Sequence, residues 1–301
     1  MARILIVNCT KKKILSRFKT LLIPFILWCL IAITWQLKCF LPIISSYLRP
    51  VEIHLSLVRI FNTLFWNGNN NGIFVDTQLS NFTNDYYPID APLWYVRDLM
   101  VMALFSPFIF KLIKKIGFFL PLVLGMAWYL SPFFVTKANY ISYLITSSFF
   151  FSIGATYGIR KIDIVVSFEK FKYAPIVYLP IAITDSLTKG MEYNWCLHKL
   201  GIIFGIISAV VVASYLIKLG KGKVCLALAN TSFFIFALHS LIMDIIGKTF
   251  FTMLHLPDNN PYAMLLLYFL VPIINILICL GFYWFLKRNI PKICNLLTGG
   301  R

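Results

Sequence analysis

Apolar residues in this chain occur in long runs that are separated by short basic or polar stretches. Several runs reach the length of about 20 residues that a helix needs to cross a bilayer core of roughly 30 Å. The pattern predicts an all-α membrane protein, a polytopic bundle of about eight transmembrane helices. The expected spans are residues 20–43, 92–112, 117–135, 139–158, 173–188, 199–218, 224–249 and 262–286.

Composition and charge agree with a membrane location. Hydrophobic residues make up 59% of the 301 residues and the mean hydropathy is +0.80, while only 13% are charged, against about 25% in soluble domains. The net charge of +17 comes from lysines and arginines that lie between the apolar runs. That placement indicates topology and gives no reason to expect a nucleic-acid partner; the expected partner is the lipid bilayer. The positive-inside rule puts both termini in the cytoplasm and predicts a multi-pass protein of the inner (plasma) membrane.

The same reasoning divides the chain into three parts. Residues 1–19 form a basic cytoplasmic segment, residues 20–288 a transmembrane domain with an outer loop at 44–91, and residues 289–301 a cytoplasmic tail. In the loop, helical spacing predicts an amphipathic helix on the outer membrane surface; its apolar positions are Ile53, Leu57, Ile60, Phe61, Leu64 and Phe65. Residues 67–90 are rich in Asn, Gly and Asp and predict an irregular polar surface loop, either a lid or binding wall or a tether.

One histidine lies in the middle of an apolar run. His239 is about 15 residues from the cytoplasmic end of its helix, or about 22 Å along the axis, so we expect it to face other helices. Ser232 lies two turns below it on the same stripe. Two interpretations stay open: a neutral histidine hydrogen-bonded to a neighbouring helix, or a general base that orients or deprotonates a hydroxyl substrate.

Further charged residues gather at the outer ends of the predicted helices. Trp94, Arg97 and Asp98 begin the second span, and because neighbouring helical residues point about 100° apart, Arg97 and Asp98 are expected to serve different partners. An arginine there can hold a carboxylate, a phosphate or a sugar hydroxyl. Asp244 and Lys248, four residues apart, are expected to form an ion pair. Asp185 and His198 are expected on the same outer side as Arg97.

Other functional classes find little support. The histidines at 54, 198, 239 and 255 share no metal-binding spacing, so no metal site is expected, and the seven cysteines suggest neither disulfides nor metal. No Walker loop and no G-x-S-x-G turn occurs. The basic stretch KKKILSRFK, residues 11–19, either anchors the topology or binds the phosphates of a cytosolic donor.

Four stretches, in order, resemble the acyltransferase 3 family of integral membrane acyltransferases, which includes glycan O-acetyltransferases. They are RFKTLLIPFILW, PLWYVRDLMV, SFFFSIGATYG and TSFFIFALHSLI. The resemblance implies transfer of an acyl group, usually acetyl from acetyl-CoA as donor substrate, to a hydroxyl of a sugar or surface glycan precursor in the cell envelope. It implies no bound cofactor. It suggests Arg17, Lys19 and Lys13 for donor binding, Trp94, Arg97 and Asp98 on the acceptor side, and His239, which matches the family's late histidine, as the catalytic candidate.

The sequence also departs from that family. The family's first two helices, one of which carries the histidine regarded as catalytic, have no counterpart here, and the family's R-x-x-R motif reads Arg17-Phe-Lys-Thr20. We therefore expect a truncated member. Two alternatives remain: a transporter or flippase of a lipid-linked substrate, and a non-catalytic remnant. The sequence leaves the oligomeric state open.

Overall fold

The computed structural model describes residues 20–37, 51–66, 72–76, 87–134, 140–222, 225–253 and 261–300. These ranges are almost entirely helical. The α-helices are α1 (Thr20–Gln36), α2 (Leu57–Phe61), α3 (Trp94–Ile116), α4 (Phe119–Phe134), α5 (Tyr140–Arg160), α6 (Ile164–Glu169), α7 (Ala174–Leu187), α8 (Asn194–Lys218), α9 (Leu226–Met253), α10 (Pro261–Asn289) and α11 (Pro291–Thr298). A π-helical turn, Asn62–Trp66, continues α2, and a 3-10 turn, Ala91–Leu93, precedes α3.

The predicted all-α class is confirmed, and each of the eight predicted spans overlaps a described helix. Residues 38–43 of the first span lie outside the described residues. Within the described part of the chain, α8 and the stretch Tyr262–Asn289 of α10 are long and apolar enough to cross a membrane by length and composition. Shorter apolar helices include α1, α4 and α7. The number of spans and the side of each terminus stay predictions.

The chain divides into two compact units. The first unit comprises Met1–Leu104 and Leu226–Arg301, and the second comprises Phe105–Cys225. In the first unit α1, the start of α3 and α9 share a core in which Phe25, Trp28, Leu93 and Phe234 are almost fully buried. The rings of Trp28 and Phe234 meet edge to face, with centroids 5.2 Å apart, which fixes α1 against α9.

The C-terminal residues fold onto the same core. Residues 289–301 were expected to be a tail, but Pro291–Thr298 forms α11 and buries Cys294 and Leu297. The indole Nε1 of Trp28 donates a hydrogen bond of 3.0 Å to the carbonyl oxygen of Leu297. The helix ends at Gly299, whose positive φ of 69° provides the left-handed cap.

The predicted outer loop is more ordered than its composition suggested. Val51–Ile53 is a strand, β1, rather than the start of a helix, and it pairs in antiparallel fashion with β2 (Phe74–Asp76). The predicted helix forms only over residues 57–66. Its last turn packs inward, because the ring of Phe65 stacks on Phe25 at 5.3 Å, whereas Leu57 is 86% exposed.

The prediction of a polar surface loop over residues 67–90 is wrong where the structure describes it. Ile73, Phe74, Ile89 and Asp90 are buried, because the β1–β2 pair and a hydrogen bond from the Ile89 backbone to the carbonyl of Thr63 hold both ends of this segment against the core. Residues 67–71 and 77–86 lie outside the described residues.

The second unit contains α4 to α8. Helices α7 and α8 pack together along their length, as do α4 and α5. Trp128 of α4 stacks on Phe149 of α5 with ring centroids 5.2 Å apart. A side chain at Gly125 would meet the Phe149 ring at 2.7 Å, so the glycine allows the close approach of these helices.

Candidate active site

In the first unit, a buried carboxylate just before the 3-10 turn pairs with a serine of α9. Ser240 of α9 donates a hydrogen bond of 2.7 Å from its Oγ to Oδ1 of Asp90. Asp90 is fully buried, and its Oδ2 has no hydrogen-bond partner among the described residues. Buried polar atoms in folded proteins are usually hydrogen-bonded, so this oxygen marks a place where a proton or a ligand hydroxyl could bind.

Local backbone structure explains why Asp90 points inward. It occupies the cap position of the 3-10 turn Ala91–Leu93, yet its side chain makes no capping hydrogen bond. Thr63, also fully buried, holds the preceding segment, because its carbonyl accepts from the Ile89 backbone at 2.8 Å. The hydroxyl of Thr63 in turn accepts from the Ile73 backbone at 2.8 Å. The Asp90 carboxylate is therefore positioned by backbone contacts and remains available to Ser240.

Burial changes the acidity of this carboxyl group. Removal from solvent raises the pKa of Asp90 to about 7, and the hydrogen bond from Ser240 lowers it in part. A carboxyl group with that pKa is a mixture of its neutral and ionised forms near neutral pH. Asp90 can therefore both donate and accept a proton near neutral pH.

Seven residues after Asp90, a buried ion pair lies in the first turns of α3. Nε of Arg97 donates to Oδ1 of Asp98 at 2.9 Å, and both side chains are almost fully buried. A second nitrogen of Arg97 donates to the carbonyl oxygen of Phe65 at 2.9 Å. The expectation that Arg97 and Asp98 serve only different partners is wrong, because the long arginine side chain folds across the angle between neighbouring helical positions.

The ring of His239 is oriented by its own helix. Nδ1 lies 2.8 Å from the carbonyl oxygen of Phe236 and 3.1 Å from that of Ile235. Carbonyl oxygens can only accept, so Nδ1 carries the proton, and in the neutral ring Nε2 then has a lone pair. The bond to a neighbouring helix involves the backbone instead: Nδ2 of Asn275 on α10 donates to the carbonyl oxygen of His239 at 2.9 Å.

Two contacts place the start of α3 beside this part of α9. One is the Asp90–Ser240 hydrogen bond, one residue after His239. The other is an edge-to-face contact of Tyr95 with Phe236, three residues before His239, with ring centroids 6.4 Å apart. Trp94, half-buried at the first position of α3, packs edge to face on Tyr95. The structure thus brings the segment that carries Trp94, Arg97 and Asp98 to the α9 turns that carry His239.

The other residues singled out from the sequence are either outside the described residues or in other parts of the structure. Donor-side candidates Arg17, Lys19 and Lys13 fall outside the described residues, as do the side chains of Asp244 and Lys248. Ser232 is exposed on α9 and donates to the Ala229 carbonyl. Asp185 and His198 contact each other in the second unit, where Nδ1 of His198 lies 3.1 Å from Oδ2 of Asp185. Their expected place on the outer side stays a prediction. No group of three or more potential metal ligands is found in the described ranges.

Sequence reasoning missed Asp90 and Ser240. Asp90 was placed in a polar surface loop, and Ser240 was passed over beside the more conspicuous histidine. A usable signal was present: Asp90 is one of only 11 acidic residues and directly precedes an apolar helix start. An acidic residue at a membrane edge is costly to bury unless it has a partner.

Comparison with known protein families assigns the chain to a family. The model of the acyltransferase 3 family, described as an acyltransferase domain, matches residues 10–284. Searches of curated proteins and of solved structures found no significant match. The family and the two long apolar helices indicate a membrane protein. Since the match covers most of the chain, the protein belongs to the acyltransferase 3 family.

Proposed function

We propose that this protein transfers an acyl group, acetyl from acetyl-CoA, to a hydroxyl of a sugar or surface glycan precursor. The single observation that carries the proposal is the family match over residues 10–284. The polar residues of the first unit support it: Asp90, Arg97 and Asp98 are buried, and half-buried Ser240, next to His239, bonds to Asp90. Acyl transfer to a hydroxyl needs a proton acceptor near a fixed polar site. In this proposal the protein is a multi-pass protein of the plasma membrane that modifies polysaccharide of the cell envelope.

His239 is the proposed general base. Its Nδ1 proton is held by the carbonyl oxygens of Ile235 and Phe236, so Nε2 is the nitrogen that can accept a proton. The acceptor hydroxyl gives its proton to Nε2 as its oxygen attacks the thioester carbonyl carbon. A C–O bond forms, the C–S bond breaks, and the leaving CoA sulfur takes the proton back from the imidazolium. The products are the sugar ester and free CoA.

The acceptor side of the proposed site is the first turns of α3. Arg97 is held by Asp98 and by the Phe65 carbonyl, so its position is fixed before a substrate binds. Fixed donors lower the entropy that a substrate contact costs. Trp94, half-buried one turn earlier, offers an aromatic ring against which a sugar can pack. Donor binding is proposed for Arg17, Lys19 and Lys13, whose charges suit the phosphates of CoA.

The test is incorporation of radiolabelled acetyl from acetyl-CoA into surface glycan. Inverted membrane vesicles from cells that make the protein are compared with vesicles from cells that carry an empty vector. Label that becomes glycan-bound and is released by mild base, as an ester is, supports O-acetyl transfer. Protein-dependent uptake of intact acetyl-CoA or of a lipid-linked sugar, without ester formation, would instead indicate a transporter. Absence of both would contradict the proposal.

A further inference from the structure

A long apolar groove runs along the second unit between α4, α5, α6 and α8. Its volume is about 1030 Å³, and its lining surface is almost wholly apolar. Its wall runs from Phe119 to Leu130 on α4 and from Phe149 to Tyr157 on α5. At 1.5 Å per residue, the wall on α4 is about 17 Å long. That length is close to half of a bilayer core of roughly 30 Å, which is the length of one lipid chain.

One end of the groove carries a cation. The guanidinium of Arg160, the last residue of α5, lies over the ring of Phe118 at 4.9 Å, and Phe118 lines the groove. Lys114 and Lys115 in the last turn of α3, and Lys161 after α5, belong to the chain segments that meet at this end. Arg160 is exposed, and among the described residues no carboxylate lies within ion-pair distance of it.

The acidic residues near that end already have other partners. Asp163 caps α6 by accepting hydrogen bonds from the backbones of Val165 and Val166. Glu169 accepts from Lys218 at 2.6 Å and also from Ser214. The mouth of the groove therefore presents the Arg160 guanidinium to a ligand, while Asp163 and Glu169 accept hydrogen bonds from other groups. A ligand that fits both features has an anionic head and an apolar tail.

We propose that this groove binds one acyl chain of an anionic phospholipid, whose phosphate is held by Arg160. The basic-inside distribution of charge predicts that the Arg160 end is cytoplasmic, so the lipid comes from the inner leaflet. The acyl chain displaces no polar partner, because the groove lining has almost no polar surface. The bound lipid fills the space between α4, α5 and α8. This proposal does not depend on the acyl-transfer chemistry of the first unit.

Gly154 provides a direct way to fill the groove. It lines the groove on α5, and a Cβ added there would meet no atom within 4 Å, so a larger side chain can enter without a clash. Gly281 on α10 is a matched control, since it is also an exposed helical glycine with no atom within 4 Å of an added Cβ, but it belongs to the first unit. For the charge, Arg160→Gln is paired with Arg288→Gln at the exposed end of α10.

The full-length protein is reconstituted in nanodiscs of phosphatidylcholine that contain a small fraction of phosphatidylglycerol with a photoreactive group in its acyl chain. After illumination, labelled peptides are mapped by mass spectrometry. We expect labels in α4, α5 and α8 at groove-lining residues. Gly154→Leu should lower that labelling roughly tenfold, because the leucine side chain displaces methylene groups of the bound acyl chain. Gly281→Leu should leave the labelling unchanged. Arg160→Gln should lower it about fivefold, and Arg288→Gln should not.

Three results would overturn the proposal. Equal labelling by a photoreactive phosphatidylcholine would remove the role of the anionic head. Loss of labelling on addition of a long-chain acyl-CoA would assign the groove to a donor chain instead of a bilayer lipid. Unchanged labelling in Gly154→Leu, with that variant folded as judged by its melting temperature, would show that the lipid lies outside the groove.

Discussion

Ser240 donates a hydrogen bond of 2.7 Å to the carboxylate of Asp90, a residue 150 positions earlier in the chain. This contact joins the segment before α3 to the turn of α9 that carries His239. A carboxyl group, a hydroxyl and an imidazole therefore lie on adjoining segments in the first unit. In the proposed mechanism the acceptor hydroxyl is deprotonated at this part of the first unit.

The buried carboxyl of Asp90 should make stability depend on pH. Its pKa is raised from 3.8 to about 7 in the folded protein, so the folded state binds more protons than the unfolded state between those values. The contribution of this group to stability is then greatest below pH 4 and falls as the pH rises to 7, by an amount on the order of 4 kcal/mol. Thermal melting of the detergent-solubilised protein between pH 4 and 8 measures the effect.

Two variants separate Asp90 from the other acidic residues. In Asp90→Asn the fall in melting temperature between pH 4 and 7 should become smaller, because the amide does not titrate. In Ser240→Ala the fall should extend to higher pH, because the hydrogen bond that lowers the pKa of folded Asp90 is lost while the pKa in the unfolded chain stays the same. If Asp90→Asn kept the wild-type pH profile, the carboxyl would not titrate in this range.

Arg97 should be needed for stability as well as for binding. Arg97→Ala removes one partner of a buried ion pair, which costs about 3 to 5 kcal/mol in comparable cases. The exposed Lys111→Ala on the same helix should change stability by less than about 0.5 kcal/mol. Replacing both members of the pair, as in Arg97→Met with Asp98→Leu, should recover part of the loss but no acyl transfer. Chemical denaturation and the acetyl-transfer assay measure the two effects, and a stable, fully active double variant would refute this role.

The amide of Asn275 should hold α10 against α9 at His239. Asn275→Leu removes its hydrogen bond to the His239 carbonyl, and interhelical hydrogen bonds in membrane proteins contribute about 0.6 kcal/mol on average and up to about 1.7 kcal/mol. Asn289→Leu is the matched control, because that exposed amide bonds only to Phe285 of its own helix. We expect a small fall in melting temperature for Asn275→Leu alone. Equal effects of both changes would argue against an interhelical role.

Docking of the C-terminal helix should depend on Gly299. An added Cβ there would lie 2.5 Å from the carbonyl oxygen of Thr20 on α1, whereas the same atom at Gly300 would meet nothing within 4 Å. Both glycines have positive φ, so the variants Gly299→Ala and Gly300→Ala share the backbone strain and differ in the clash. Gly299→Ala should expose Cys294, which is 2% exposed in the structure. Maleimide labelling of Cys294, mapped by mass spectrometry, should rise only in that variant.

The helices could be predicted from sequence because each lies in a long apolar run, and a backbone in lipid must satisfy its own hydrogen bonds. The outer loop could not, since its order depends on contacts that have no local pattern. Thr63 illustrates this: its hydroxyl and carbonyl bind the backbones of Ile73 and Ile89, which are 10 and 26 positions away. Asn and Gly residues in the segment predicted an exposed turn, whereas the pairing of β1 with β2 buries Phe74.

The candidate site was predicted in part. His239, Arg97 and Asp98 stood out because ionisable residues next to apolar runs are costly, and all three lie in the first unit. The pairing of Arg97 with Asp98 was missed because helical geometry fixes the direction of Cβ but not the path of a long side chain. Asp90 and Ser240 were missed because their importance comes from a contact across 150 residues.

The most direct test of the central claim is acetyl transfer by three forms of the protein at equal membrane abundance. Wild type is compared with His239→Ala and with Ser232→Ala, an exposed position seven residues earlier on α9. The proposal expects ester-linked label with wild type and Ser232→Ala, and a loss of about 10² to 10⁴-fold with His239→Ala, as for removal of a general base. Full activity of His239→Ala, with its abundance and melting temperature unchanged, would contradict the assignment of His239 as the base.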